Sequence, residues 1–227
     1  AGTDLVTIVG KSWDLHVREI LAVSLNHNME MIRDSLAYLK PRFSRVIFDA
    51  EHFFDGFRNN REYALETLRA ASDAGADLLV LCDTNGGTLP TELAGIIREV
   101  REHVSTPLGI HAHNDSETAV ANSLMAVEAG VAQIQGTING IGERCGNANL
   151  ISIIPALALK MDRMPADEKR LGLLKHVSEF VDEMANRSPW KSQPYVGASA
   201  FAHKGGLHTS AVVKNTKAYE HINPGIV

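Results

Sequence analysis

The sequence predicts an α/β fold built on a parallel sheet, and more specifically a TIM (β/α)8 barrel. Five short, nearly continuous apolar segments are typical of parallel strands that are covered on both faces. Amphipathic segments separate them, at a spacing of about 30 residues per strand–helix step. Polar side chains follow the C-terminal ends of all five strands, whereas an open doubly wound sheet concentrates its site at one point. This distribution favours the barrel.

The elements follow one another in regular order. The predicted strands are LVTIVG, RVIFDA, DLLVLCD, PLGIHAH and AQIQGTIN, at 5–10, 45–50, 77–83, 107–113 and 132–139. The predicted helices lie at 28–40, 60–74, 91–103 and 116–129. Pro90 precedes the third helix, and Gly75 and Gly130 close the second and the fourth. Because a closed barrel needs eight strands, we expect only its last five βα units here, with about three more upstream.

The pattern changes after the fifth strand. Residues 150–161 predict a last barrel helix and 167–187 a further amphipathic helix, whereas 188–210 is irregular and rich in Pro, Gly and Ser. We therefore predict two parts, a partial TIM-barrel catalytic domain at 1–162 and a helical linker with the start of a C-terminal subdomain at 163–227.

Composition excludes several functional classes. The 227 residues are 44% hydrophobic, which is enough for one sizeable core. The net charge of −5 is spread along the chain, without the basic stripe typical of nucleic-acid binding. No apolar run approaches the ~20 residues of a membrane helix, and Cys82 and Cys145 form no CxxC pair. We expect a reduced, cytoplasmic protein that binds neither nucleic acid nor membranes.

The segment GIHAHND places two histidines at the end of the fourth strand. Residues i and i+2 of a strand face the same side, so His111 and His113 are expected to project together, with their backbones about 7 Å apart. A pair of imidazole ligands, together with oxygen ligands, is common around Zn²⁺, Mn²⁺ or Fe²⁺. The alternative is a pair of ordinary polar residues at a strand end, one of them bonded to a backbone carbonyl.

The loop GTINGIGERCGNANL contains glycines that resemble a GxGxxG dinucleotide motif. The last gap is one residue too long, and no acidic residue ends a strand about 20 positions later, so a dinucleotide site is rejected. The glycines instead predict tight turns around polar side chains, from which Asn147 reaches a metal through its amide oxygen. Glu143 and Arg144 are interpreted either as an internal ion pair that shapes the loop or as direct substrate contacts.

Two further clusters follow the second and third strands. Asp49 and Glu51 share one strand face, where a carboxylate serves as a base, a metal ligand or the partner of a cation. In the segment CDTNGG, Thr84 offers a hydroxyl donor next to a predicted turn.

The segment AFAHKGGLH lies outside the barrel repeats. It predicts either a lid that carries an acid or base, or a solvated loop. The remaining histidines have no companions in the sequence and are assigned to the surface or to a satisfied core: His16, His27, His103, His176 and His221.

Together these motifs resemble the α-isopropylmalate, homocitrate and citramalate synthase family. The resemblance rests on GIHAHND, QGTINGIGERCGNANL, FDAEHFFDGF, LCDTNGG and SAFAHKGGLHTSAV, and it covers almost the whole chain. The resemblance is closest to the citramalate synthase branch, through the segments GKSWDLHV, FDAEHFFDG and YEHINP. It implies a TIM barrel with a C-terminal subdomain that reaches across to the partner protomer of a homodimer.

The resemblance also implies a divalent cation, Mn²⁺, Zn²⁺, Mg²⁺ or Co²⁺, with His111, His113 and Asn147 among its ligands. The family's remaining ligand is an aspartate in an Arg-Asp-Gly element, which this sequence lacks. We therefore expect the isolated 227-residue chain to be inactive.

The implied reaction condenses acetyl-CoA with a 2-keto acid and releases CoA. The resemblance implies proton-transfer roles for Glu51 and His208, and substrate contacts for Thr84, Asp83 and Tyr219. We expect pyruvate as the keto acid and (R)-citramalate as the product, in isoleucine biosynthesis. The alternatives are α-isopropylmalate synthase, which uses 2-ketoisovalerate in leucine biosynthesis, and a metal-dependent aldol-type lyase of the same barrel class.

Overall fold

The computed structural model describes residues 2–163 and 167–227. The chain forms two compact units. Unit 1 contains the residues up to Gly136 together with Gly142–Ala148, and unit 2 contains Thr137–Ile141 and Asn149–Val227. None of the described helices is long and apolar enough to cross a membrane.

Unit 1 is built on five parallel strands that neighbour one another in chain order. They are β1 (Leu5–Lys11), β2 (Arg45–Glu51), β3 (Leu78–Asp83), β4 (Leu108–Ala112) and β5 (Gln133–Gln135). This sequential parallel pairing confirms the predicted run of βα units. β5 is shorter than predicted, because the chain turns into a 3₁₀ helix at Ile138–Gly140, where Asn139 has a left-handed φ of 60°.

The helices of unit 1 follow its strands. They are α1 (Leu25–Leu39), α2 (Phe53–Asn59), α3 (Arg61–Asp73), α4 (Pro90–His103) and α5 (Ala119–Glu128). α2 adds to the predicted set, and it buries Phe53, Phe54 and Phe57. Gly56 allows α2 to approach the chain that leaves β1, since a Cβ there would lie 2.4 Å from the carbonyl oxygen of Ser12.

The two faces of the sheet carry different kinds of side chain. Gly10 and Phe48 face α1, as a Cβ on Gly10 would meet both the Phe48 ring and Ile32. Other completely buried side chains on this helix-covered face are Leu79, Leu81 and Ile110. The opposite face holds a smaller apolar cluster of Ile47, Leu78, Val80 and Cys82. Its polar residues lie toward the C-terminal ends of the strands, where a barrel places its site.

This opposite face is concave. On it, Nε2 of Gln135 in β5 donates a hydrogen bond to Oδ1 of Asp49 in β2, at 3.0 Å. In a flat sheet, three strand spacings of about 4.8 Å would separate these strands by ~14 Å. Only strong curvature toward this face brings the two side chains together, as in the wall of a barrel.

Unit 2 is mainly helical. Its described helices are α6 (Leu150–Leu159), α7 (Glu168–Leu171), α8 (Leu174–Met184) and α9 (Gly206–Lys214). Its core contains Ile151, Leu171, Leu174 and Val196. The single helix predicted over 167–187 is wrong, because the chain leaves helical structure at Gly172, a weak helix former. The stretch 188–210, predicted to be irregular, contains the start of α9.

Candidate functional site

The histidines of GIHAHND meet on the concave face of unit 1. His111 lies in β4 and His113 just beyond it, so both project to one side, as strand parity predicts. Their Nε2 atoms are 3.3 Å apart. Burial lowers the pKa of His113, and the neighbouring His111 and Arg144 lower it further. A neutral ring is the form of histidine that binds cations.

The separation of these nitrogens fits two ligands on one cation. With metal–nitrogen bonds of ~2.1 Å and angles between about 90° and 109°, two imidazole nitrogens lie about 3.0–3.4 Å apart. The Nδ1 atom of His113 is buried and makes no hydrogen bond.

Asn147 lies beside this pair, in an isolated antiparallel β-bridge with His113. Its Oδ1 atom is buried and has no hydrogen-bond partner. A buried unpaired carbonyl costs about 1–3 kcal/mol, which a cation ligand would offset. Gly142 makes room for this side chain, because a Cβ there would lie 2.6 Å from the Asn147 amide nitrogen. Within residues 2–163 and 167–227, no group of three or more His, Cys, Asp and Glu side chains could hold a metal.

Gln135 contacts the His111 ring at Nδ1, the nitrogen that does not face His113. This contact was not predicted from the sequence. The Nδ1 atom of His111 is 3.1 Å from Oε1 of Gln135, whose Nε2 in turn donates to Asp49. Burial raises the pKa of Asp49, and the hydrogen bond from Gln135 partly offsets this rise. Gln135 pairs with His111 in the β4–β5 register, which only the structure provides.

Glu51 ends β2 on the same concave face. It pairs in register with Lys11 at the end of β1, and the two side chains form an ion pair. About a quarter of each side chain is exposed, at 23% for Lys11 and 26% for Glu51. The carboxylate is thus held in place but remains open to a ligand.

Thr84 and Asp83 are adjacent in sequence, but their side chains have different hydrogen-bond partners. The Oγ1 atom of Thr84 accepts the backbone N–H of His52 at 2.8 Å. Asp83 is 1% exposed, and its carboxylate accepts hydrogen bonds from the Thr88 hydroxyl at 2.7 Å and the Thr88 N–H at 3.3 Å. The Asp83 side chain lies on the same helix-covered face as Leu81, so its carboxylate does not face the histidine pair. Its backbone carbonyl nevertheless accepts the N–H of His113 at 3.2 Å.

Arg144 connects the glycine loop to two strand ends. Of the two interpretations of Glu143 and Arg144, the internal ion pair is wrong, because Arg144 pairs with Asp115. Arg144 instead donates to both carboxylate oxygens of Asp115, at 2.7 and 2.8 Å, and to the carbonyl oxygen of Thr84 at 2.6 Å. Adjacent residues rarely form a fork of this kind, whereas Asp115 lies across from the guanidinium.

An Arg144→Gln variant is expected to loosen the loop that carries Asn147. The Ala148 N–H, bonded to the carbonyl of Ala112, should exchange with deuterium about tenfold faster, which is equivalent to ~1.4 kcal/mol of lost charge-assisted bonding. Hydrogen exchange with mass spectrometry measures this. Arg98→Gln, at an exposed position of α4, is the matched control. Equal exchange at Ala148 in both variants would refute the role of Arg144.

Two histidines interpreted as isolated have aromatic neighbours instead. In unit 1, the ring of His16 stacks on Trp13 at 5.2 Å between centroids and lies 4.2 Å from the ring of His52. Burial lowers the pKa of His16, and His52 lowers it further. In unit 2, His221 lies 5.2 Å from the ring of Tyr195.

Unit 2 brings His208 and Tyr219 together. His208 lies in the first turn of α9, and its ring stacks on that of Tyr219 at 4.2 Å between centroids and an interplanar angle of 27°. Nearby, Nε2 of His203 is 3.5 Å from a carboxylate oxygen of Glu220. The predicted substrate-contacting tyrosine and the predicted acid–base histidine are therefore neighbours within this unit.

Comparison with known families and proteins covers the whole chain. The HMGL-like family model matches residues 1–181, and the model described as homocitrate synthase post-HMGL domain-like matches residues 195–227. The (R)-citramalate synthase of Geobacter sulfurreducens is 61% identical over 227 residues, which is 100% of this chain and 43% of that protein. The (R)-citramalate synthase of Aquifex aeolicus is 58% identical over 228 residues, again 100% of this chain and 43% of that protein. The chain thus spans less than half the length of these relatives.

Solved structures support the fold. The hydroxymethylglutaryl-CoA lyase of Pseudomonas aeruginosa superposes with a TM-score of 0.68 at 16% identity, covering 82% of this chain and 64% of the lyase chain. At this identity the likeness concerns the fold alone, and it agrees with the predicted barrel class.

Proposed function

Because the chain belongs to the HMGL-like family, we propose that it supplies metal-binding residues of an acyltransferase that condenses acetyl-CoA with pyruvate to (R)-citramalate and CoA. The observation that carries the proposal is the pair of convergent imidazole nitrogens of His111 and His113, beside the unpartnered amide oxygen of Asn147. The 61% identity with an (R)-citramalate synthase supports pyruvate as the keto acid.

His111, His113 and Asn147 are the residues that would hold a divalent cation. When bound, Mn²⁺, Zn²⁺, Mg²⁺ or Co²⁺ polarises the keto carbonyl and neutralises charge that develops on its oxygen. The two imidazoles and the amide oxygen form a donor set that suits borderline metals.

Thr84 is proposed to orient the keto acid. Its Oγ1 already accepts the His52 N–H, so the hydroxyl proton remains available to donate to a carboxylate. Arg144 holds the Thr84 carbonyl and thereby restrains the residue. Asp83 is proposed to act indirectly, by fixing the loop that contains Thr84, because its carboxylate accepts a hydrogen bond from the Thr88 hydroxyl.

Glu51 is proposed as the base that removes a proton from the acetyl methyl group. This methyl is a weak carbon acid, so the transfer needs a positioned acceptor. The ion pair with Lys11 holds the Glu51 carboxylate on the concave face. The resulting carbanion attacks the keto carbon, and water then hydrolyses the citramalyl thioester and releases CoA.

His208 is proposed as the second proton-transfer group, acting from the partner protomer of a homodimer, with Tyr219 as a substrate contact. A complementation experiment tests this arrangement. Glu51→Gln and His208→Ala variants should each be nearly inactive alone. Random mixing of their subunits should restore about a quarter of the wild-type activity, because half of the dimers are mixed and each mixed dimer has one intact site.

The control for complementation mixes Glu51→Gln with the Glu51→Gln/His208→Ala double variant, which leaves no intact site in any dimer. Native mass spectrometry verifies that subunits have exchanged. Mixed dimers without restored activity would show that His208 does not serve the partner's site.

The reaction itself is tested by CoA release from acetyl-CoA in the full-length protein, measured with a thiol reagent. Pyruvate should give the highest kcat/KM among 2-keto acids. Faster turnover with 2-ketoisovalerate would identify an α-isopropylmalate synthase instead. Cleavage of hydroxymethylglutaryl-CoA, without keto-acid-dependent CoA release, would identify a lyase.

A further inference from the structure

We propose that Asp49 and Gln135 fix the tautomer of His111 and so keep its Nε2 atom free to bind the cation. This positioning role rests on the metal centre proposed above. Neither residue is assigned a contact with the substrate or the reacting atoms. They act through His111.

Oδ1 of Asp49 accepts a hydrogen bond from the side-chain amide of Gln135 at 3.0 Å, which fixes the orientation of that amide. The amide oxygen of Gln135 must then face His111, whose Nδ1 atom lies 3.1 Å away. A carbonyl oxygen also only accepts, so Nδ1 of His111 carries the proton. Its Nε2 atom is left with a lone pair.

This lone pair is directed to the candidate cation position. Nε2 of His111 lies 3.3 Å from Nε2 of His113, the spacing of two ligands on one ion. An unconstrained neutral imidazole populates both tautomers, and the one protonated at Nε2 cannot bind through that atom. Outer contacts that fix a ligand's tautomer typically change metal affinity 10–100-fold.

A matched pair of variants tests the proposal by Mn²⁺ titration. Gln135→Leu removes the acceptor for His111 with little change in volume. Gln133→Leu makes the same substitution two residues earlier, on the same face of β5, where the Gln133 amide oxygen is buried without a partner. We expect Gln135→Leu to weaken Mn²⁺ binding about 10–100-fold, and Gln133→Leu to change it less than about twofold. Equal losses in both variants would overturn the proposal.

A second measurement does not depend on metal. Nitrogen-15 chemical shifts of His111 in the metal-free protein, above the titration range of histidine, should show the Nδ1–H tautomer. In Asp49→Asn the new amide can donate or accept, so the Gln135 amide is free to flip and a mixture of tautomers should appear. An Nε2–H ring in the wild type, or an unchanged Nδ1–H ring in Gln135→Leu, would overturn the proposal. If Gln135→Leu fails to fold, Asp49→Asn decides through the same shifts.

His111→Ala separates failure of this inference from failure of the proposed function. If His111→Ala loses Mn²⁺ while Gln135→Leu retains it, the metal centre stands and the positioning role is wrong. If His111→Ala binds Mn²⁺ as tightly as the wild type, the metal centre itself is wrong, and the proposed function loses the observation that carries it.

Discussion

A His113→Ala variant is expected to bind Mn²⁺ at least about 100-fold more weakly than the wild type and to lose about a thousandfold in kcat/KM. Loss of outer contacts alone costs up to about 100-fold in metal affinity, so loss of a direct ligand should cost at least as much. Metal polarisation of a carbonyl is worth several kcal/mol, and about 4 kcal/mol corresponds to a thousandfold in rate. Calorimetric Mn²⁺ titration and the CoA-release assay, both on the full-length protein, measure the two effects.

His176→Ala is the matched control, because His176 is exposed on α8. This control should leave both the Mn²⁺ affinity and kcat/KM unchanged. Thermal unfolding of His113→Ala must be compared with that of the wild type, since the substitution removes a buried ring and leaves a cavity. Wild-type Mn²⁺ affinity in a folded His113→Ala protein would contradict the assignment of His113 as a ligand.

A Glu51→Gln variant is expected to lower kcat about 10²–10⁴-fold, the usual contribution of a positioned acid or base. The amide keeps the shape of the side chain but cannot take the methyl proton. KM for pyruvate should change little, since Glu51 is assigned to proton transfer and the keto acid to other residues. Steady-state kinetics with deuterated acetyl-CoA should show a larger isotope effect in the variant, because proton removal becomes more rate-limiting.

Glu102→Gln, at an exposed position in the last turn of α4, is the control for Glu51. The ion pair of Glu51 with Lys11 also has a structural effect, so the thermal midpoint of Glu51→Gln must be compared with that of the wild type. A folded Glu51→Gln protein with wild-type kcat would exclude Glu51 as the base.

The barrel strands could be predicted from sequence because their cause is local. A strand covered on both faces needs a continuous apolar run, and β2, β3 and β4 all have one. α2 has no such signature. Its phenylalanines occur in FFDGF, a segment too short for helical periodicity, and the helix depends on the approach that Gly56 permits.

The candidate site likewise contains one contact that the sequence predicts and others that it does not. Parity within one strand predicts that His111 and His113 project together, and the structure agrees. The partner of Arg144 could not be predicted, since Asp115 is 29 residues away and meets it only when two loops fold beside each other. The contact of Gln135 with His111 likewise could not be predicted, because an amide in a short strand has no sequence signature of its own.

The hydrogen bond between Asp49 and Gln135 joins residues 86 positions apart along the chain. Each neighbouring pair of strands closes a much shorter loop, so strand pairing is expected to precede this contact during folding. The pair of His111 and His113 is local to one strand end, whereas the contact of Gln135 with Asp49 is then completed late, after the strands between β2 and β5 have assembled. An ion that binds only the completed arrangement stabilises it by mass action. The cation proposed for His111 and His113 is therefore expected to favour the final closure of the sheet, so that the same ligands would serve folding as well as catalysis.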